Sequence, residues 1–224
     1  AKWTEALAEH RLKAGDVERA LPSLMEAGEH CARFGSHDRA LHFYERAVEE
    51  IQKLGTPSGA LGTRMRVLRK VAESRAALKA WSASEEAYRE LIDLARNGRN
   101  RMAEGKALEG LGRNCARRKE YGQALKHYEL ALQLFLEQDD ALDQCTVLSD
   151  MGSVYLELGK WQDLERTYVS AIAIARDRGY TTQIAGMAMN RAIMFAMKGR
   201  HDKAAQAFGQ CLSLNQRLGR NEAA

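Results

Sequence analysis

The sequence predicts an all-α protein, a row of about eleven helices folded back on one another as hairpins. Three observations carry that prediction. The 224 residues include only 2 prolines and 7% aromatics; they are rich in Ala, Leu, Glu and Arg, which lose little side-chain freedom on a helix. Glycines such as Gly15, Gly35, Gly159, Gly179 and Gly199 punctuate the chain as helix C-termini do. Aromatic residues recur about every 40 residues, at Tyr88, Tyr128 and Tyr168, with Phe208 continuing the series.

The aromatic series has three companions. Seven residues before each member stand Trp81, Tyr121, Trp161 and His201; three residues after stand Leu91, Ala131, Ala171 and Cys211. Sixteen residues before come Ala72, Gly112, Gly152 and Ala192. A small residue on a first helix lets a second helix approach closely, and the aromatic on the second helix fills the groove so formed. The residue that opens the second helix covers the turn. Ala124, Tyr128 and Ala131 lie at i, i+4 and i+7, so they form one buried stripe.

In chain order, an unpaired helix is expected near residues 3–14, with Trp3 on it. Gly15-Asp16 then ends one helix and caps the next, and Pro22, more than a turn into that helix, predicts a kink or a lost hydrogen bond. Leu24, Gly28 and Cys31 pair with Ala40, Tyr44 and Ala47 as a first hairpin, with Gly35-Ser36 at its turn. Thr56-Pro57 reads as a cap before a proline at the first helical position, and Gly59 and Gly62 as part of a hairpin connection. Four regular repeats follow over residues 57–218, whereas 1–54 has altered spacing, and the whole of 1–224 reads as one solenoid domain. Cys31, Cys115 and Cys211 fall on the repeat grid and read as small buried hydrophobes.

On these residues the chain resembles a tetratricopeptide repeat array. The best copy runs from Leu108 to Leu132, where Leu108, Leu111, Gly112, Tyr121, Ala124, Tyr128 and Ala131 match the family's positions. The next has Leu148, Gly152, Tyr155, Gly159, Trp161, Tyr168 and Ala171, with Leu164 in place of the family's small alanine. HEAT-type repeats share the length of about 40 residues but not the small-residue and tyrosine series, and the usual tetratricopeptide repeat is about 34 residues. The surplus predicts helices longer by less than a turn each. The first fifty-odd residues also resemble, more loosely, the helical segment that follows the ATPase core in bacterial STAND-type signal-transduction ATPases, through Ala14-Gly15-Asp16, Ala20-Leu21-Pro22 and the Ala40 to Ala47 stretch.

The resemblance implies a right-handed superhelical α-solenoid whose first helices line a concave groove, with partner-facing side chains one turn apart. Those positions are Arg66, Arg69, Lys70 and Glu73, then Lys106, Glu109, Arg113 and Arg117, then Ser149, Asp150 and Ser153, and finally Met189, Asn190 and Ile193. The face changes from basic to neutral along the chain. Residues 64–119 carry about eight net positive charges within a chain of net charge +4, so the remainder is acidic by about four. Arg and Lys in a cluster can clamp carboxylates by charge-assisted hydrogen bonds. The family's Lys, Asn and Arg carboxylate clamp is not reproduced, because Asn114 stands one position too far along and Glu73 and Glu109 intrude.

Chemistry of other kinds finds no foothold. No phosphate loop, HExxH or nucleophile elbow occurs, so no catalytic residue and no cofactor is expected. The four cysteines and six histidines show no metal spacing. A pI near 8.9 without exposed aromatic interleaving argues against nucleic acid. No apolar run reaches membrane-span length, and a cytoplasmic setting is expected. The function expected is non-enzymatic: a scaffold that grips a protein or peptide, acidic in character, along its groove. The alternative is a regulatory sensor segment of a larger ATPase, cyclase or kinase-type switch, binding a small ligand or an intramolecular partner. The last helix, with Leu212, Leu214 and Leu218 on it, offers a homodimer contact.

Overall fold

The computed structural model describes residues 2–53 and 61–222, and among them lie eleven helices and no strand. They are α1 (Lys2–Lys13), α2 (Val17–Arg33), α3 (His37–Lys53), α4 (Leu61–Ala77), α5 (Trp81–Asn97), α6 (Arg101–Arg117), α7 (Tyr121–Glu137), α8 (Ala141–Glu157), α9 (Trp161–Asp177), α10 (Thr181–Met197) and α11 (His201–Glu222). The expected Thr56-Pro57 start and the Gly59 connection lie outside the described residues, as do the side chains of Trp3 and Leu218.

From α4 to α10 each helix has 17 residues, and three residues separate it from the next. One turn geometry sets this cadence. The middle residue of the turn has positive φ at Gly15, Gly35, Lys79, Arg99, Lys119, Asp139, Gly159, Gly179 and Gly199. The left-handed residue lets the following N–H reach back to the carbonyl five residues earlier, as in Ala80 N–H to Arg75 O at 2.9 Å and Tyr180 N–H to Ala175 O at 2.7 Å. Carbonyls that would be orphaned at the helix end are thereby paired. Asp16, Asn100 and Asp140 cap the next start by accepting from the backbone N–H three residues on.

α2 continues through Pro22 to Arg33, so the proline does not end the helix. With no N–H of its own, Pro22 leaves the Glu18 carbonyl without its usual helical donor.

The chain divides into two compact units, Ala1–Asn114 and Cys115–Ala224, with the boundary inside α6. In unit 1, α1 packs on α2, α2 on α3, α3 on α4 and α4 on α5. Its core includes Leu24, Tyr44, Ile51, Val67, Tyr88 and Leu91. Tyr44 lies over Gly28, where a Cβ would come within 2.3 Å of the ring. Tyr88 lies over Gly110 in the same way, at 2.2 Å. Arg46 bonds Glu9 and holds its carboxyl below the usual range, linking α3 to α1. Arg75 reaches Glu45 at 2.9 Å and links α4 to α3.

In unit 2 the core gathers Leu164, Tyr168, Ala171, Ala175, Met187, Ala192 and Met194, with Cys145 among them. A Cβ on Gly152 would stand 2.0 Å from the Tyr168 ring, so only glycine admits the aromatic there. Burying each large side chain contributes about 1.5–3 kcal/mol. Leu164, in place of the family's alanine, is fully buried. All four cysteines are buried thiols.

Two expectations are corrected at α11. Phe208 is 40% exposed rather than filling a groove, because Ala204, Ala207 and Cys211 form the buried stripe. His201 is exposed rather than covering its turn, unlike the partly buried Trp161, which lies against Gly159.

Candidate functional site

The candidate residues fall into three groups. In unit 1, Arg66, Arg69 and Lys106 line one pocket of about 260 Å³ between α4, α5 and α6. Its floor is apolar, formed by Met65, Leu91, Met102 and Ala103. A second pocket, between α2, α3 and α4, takes Lys70 and Glu73 into its wall. The face that reads as continuous in the sequence is thus split between two concavities.

Carboxylates on the same helices temper the basic charge. Arg69 donates to Glu73 at 2.8 Å, and the Lys70 ammonium lies 3.3 Å from the other Glu73 oxygen. On α6, Arg113 donates to Glu109 and Lys106 lies 3.8 Å from it. Glu109 is buried, at 3% exposure, and both cations help to stabilise a carboxylate there. Arg66 is exposed and has no ion-pair partner among the described residues. Arg117 is exposed at the end of α6, beyond the unit boundary.

Tyr88, buried on α5, feels charges from both α4 and α6. Burial pushes its phenol up, Glu73 and Glu109 push it further, and Arg113 and Arg69 oppose them. The phenol therefore stays protonated in the field of two carboxylates and two guanidinium groups.

In unit 2 the candidates Ser149, Ser153 and Asn190 are tied to each other. Asn190 Nδ2 donates to the Tyr168 hydroxyl at 2.7 Å and to Ser153 Oγ at 3.1 Å, and Ser153 Oγ donates to the Ser149 carbonyl at 3.1 Å. These polar groups hold α8, α9 and α10 together. Burial pushes the Tyr168 phenol up, while hydrogen bonding with Asn190 and Ser153 pulls the other way.

Three features lie outside the residues that the sequence put forward. Asn114, off register for a clamp, is buried and donates to Ser84 Oγ at 2.8 Å, and Ser84 in turn donates to the Ala72 carbonyl at 2.8 Å. Glu104 is buried between Arg96, at 2.7 Å, and Arg101, at 3.4 Å. The methionine floor of the Arg66 pocket had a usable signal: Met65 and Met102 each lie one to four residues from a groove cation. Among the described residues no group of His, Cys, Asp and Glu is arranged to hold a metal, and no helix is long and apolar enough to cross a membrane.

Comparison with known proteins bears on the fold. Residues 147–179 match the tetratricopeptide repeat family model. No curated protein sequence matches the chain. Among solved structures, the chain is similar to BtubC (BKLC) from P. vanneervenii, with a TM-score of 0.76 at 14% identity over 97% of this chain and 87% of that one. It is similar to a Rap protein complexed with Competence and Sporulation Factor, with a TM-score of 0.74 at 16% identity over 87% of this chain. Aspartyl phosphate phosphatase F from Bacillus subtilis gives 0.71 at 11% identity over 89%. The chain spans 53% of that Rap protein and 60% of the phosphatase. A family match over one hairpin, nine left-handed turns at a fixed cadence and these structural likenesses converge: the fold is a tetratricopeptide-like array of helical hairpins.

Proposed function

We propose that this protein is a non-enzymatic scaffold that holds an extended peptide or protein segment of acidic character, chiefly through unit 1. The observation that carries this reading is the convergence of Arg66, Arg69 and Lys106 on one pocket with an apolar, methionine-containing floor. Cations at the rim attract carboxylates, and flexible methionines accept varied apolar side chains. A structural likeness to a Rap protein solved with a bound factor supports the same reading by analogy of fold. The phosphatase named among the similar structures gives no reason to assign that activity here, since the likeness is one of fold at 11% identity.

Arg66→Glu is the cleanest test. Charge reversal at Arg69 or Arg113 would also strip Glu73 or Glu109 of one of its partners, whereas Arg66 supports no carboxylate among the described residues. With labelled peptides alternating Glu with Leu or Met, wild-type protein should bind in a salt-sensitive manner. R66E should weaken binding about tenfold with an unchanged thermal melt, the loss of one charge-assisted contact. Equal binding by a folded R66E protein rejects the proposal.

A further inference from the structure

The second pocket of unit 1, about 410 Å³ between α2, α3 and α4, shares no lining residue with the Arg66 pocket. Its wall includes Glu29, Arg33, His37, Tyr44, Lys70 and Glu73. Tyr44 has 0% exposure, yet its hydroxyl has no hydrogen-bond partner. Unit 2 shows the satisfied counterpart. Tyr168 occupies the same eighth position of its helix, and its hydroxyl accepts from Asn190, the tenth residue of α10. The tenth residue of α4 is Lys70, whose ammonium is engaged by Glu73. The thirteenth residue of α8 is Ser153, and that of α2 is Glu29.

Two opposite charges in the same wall also stand open. Glu29 and Arg33 lie one turn apart on α2, a spacing that favours pairing, yet neither makes an ion pair among the described residues. Glu73 does not compete for a ligand's ammonium, because Arg69 at 2.8 Å and Lys70 at 3.3 Å already engage it. Burial, Glu29 and Glu73 together keep the Tyr44 phenol protonated, so it is a donor in search of an acceptor.

We infer that this pocket is a binding site for a small zwitterion, a free α-amino acid or a dipeptide. Its ammonium pairs with Glu29, its carboxylate with Arg33, and an oxygen of the ligand accepts from the Tyr44 hydroxyl. The site is independent of the acidic-peptide site and draws on different residues.

The test is calorimetric titration of the full chain with the standard free L-amino acids and with glycylglycine, then with N-acetylglycine and glycinamide as end-blocked controls. At least one free amino acid or glycylglycine should bind, and blocking either end should weaken it at least about tenfold, as should E29Q and R33Q, each change removing one charged hydrogen bond. Y44F should weaken the ligand while leaving the melting temperature of the unliganded protein unchanged or higher, because it deletes an unsatisfied hydroxyl. The arms separate a dipeptide from a free amino acid. No binding by any free amino acid or glycylglycine, binding indifferent to blocked ends, or full affinity in E29Q and R33Q would each overturn the inference. R66E serves as the internal control: it should bind the zwitterion normally, so failure here is distinguishable from failure of the peptide site.

Discussion

At the thirteenth position of their helices, α2, α4 and α6 of unit 1 carry Glu29, Glu73 and Arg113, whereas α8 and α10 of unit 2 carry Ser153 and Ile193. One position earlier every one of these helices carries Gly or Ala: Gly28, Ala72, Gly112, Gly152 and Ala192. The two positions obey different rules. The small residue is dictated by the ring that must lie on it, as Gly28 and Gly152 show. Its neighbour carries no such steric demand, and its residue type varies from helix to helix. Unit 1 uses it for charge; in unit 2, α8 uses it to close a hydrogen-bond network around Tyr168 and α10 leaves an exposed Ile193 there. The fold therefore constrains one column of the repeat and leaves the adjacent column available for recognition.

The largest expected effect tests the constrained column. Gly28→Ala and Gly152→Ala would each force a methyl into a tyrosine ring, an overpacking cost of about 1–3 kcal/mol. A helix-propensity gain of about 1 kcal/mol offsets part of it. Urea unfolding should show a net loss in both, while Gly122→Ala and Gly186→Ala, where a Cβ meets nothing within 4 Å, should gain stability. A smaller effect tests the open column. Tyr168→Phe removes the acceptor of Asn190 and should cost about 1 kcal/mol, whereas Tyr44→Phe should cost nothing, a difference readable in paired thermal melts. Equal losses at the two tyrosines would remove the distinction between the units.

The smallest effect concerns the turns. Lys79 adopts φ 60, where a side chain is disfavoured, so Lys79→Gly should raise stability by up to about 1 kcal/mol. Gly199→Ala, at φ 68 with open space around it, should lower stability by a similar amount. Denaturant midpoints of the two variants check the opposite signs.

Legibility in the sequence followed the same division. The small-residue and tyrosine columns repeat because a ring needs a small residue beneath it, as at Gly28 and Gly152, and they carry the count of eleven helices; the first helix, expected to be unpaired, packs on α2. Turns at Gly15, Gly35, Gly159, Gly179 and Gly199 could be read directly. Those at Lys79, Arg99, Lys119 and Asp139 could not, because a non-glycine residue in the left-handed region carries no compositional mark. The sequence offers Arg66, Arg69, Lys70 and Lys106 as one face, but the carboxylates beside Arg69, Lys70 and Lys106, and the separation of Lys70 into a second pocket, depend on side-chain geometry. Phe208 shows the limit of periodicity: it keeps the aromatic register and yet is exposed, since register describes a helix and burial requires a neighbour.

The uniform cadence has a consequence for how the chain acquires its structure. Within each unit, packed helices are adjacent in sequence or one helix apart, as in α8 with α10. Every contact therefore closes only a short segment of chain, and the entropy lost at each step is small and soon repaid. Such a protein can order itself hairpin by hairpin while it is still being synthesised, without waiting for a distant stretch to arrive. Under load or heat it should come apart in the same increments, so damage to one hairpin need not erase its neighbours.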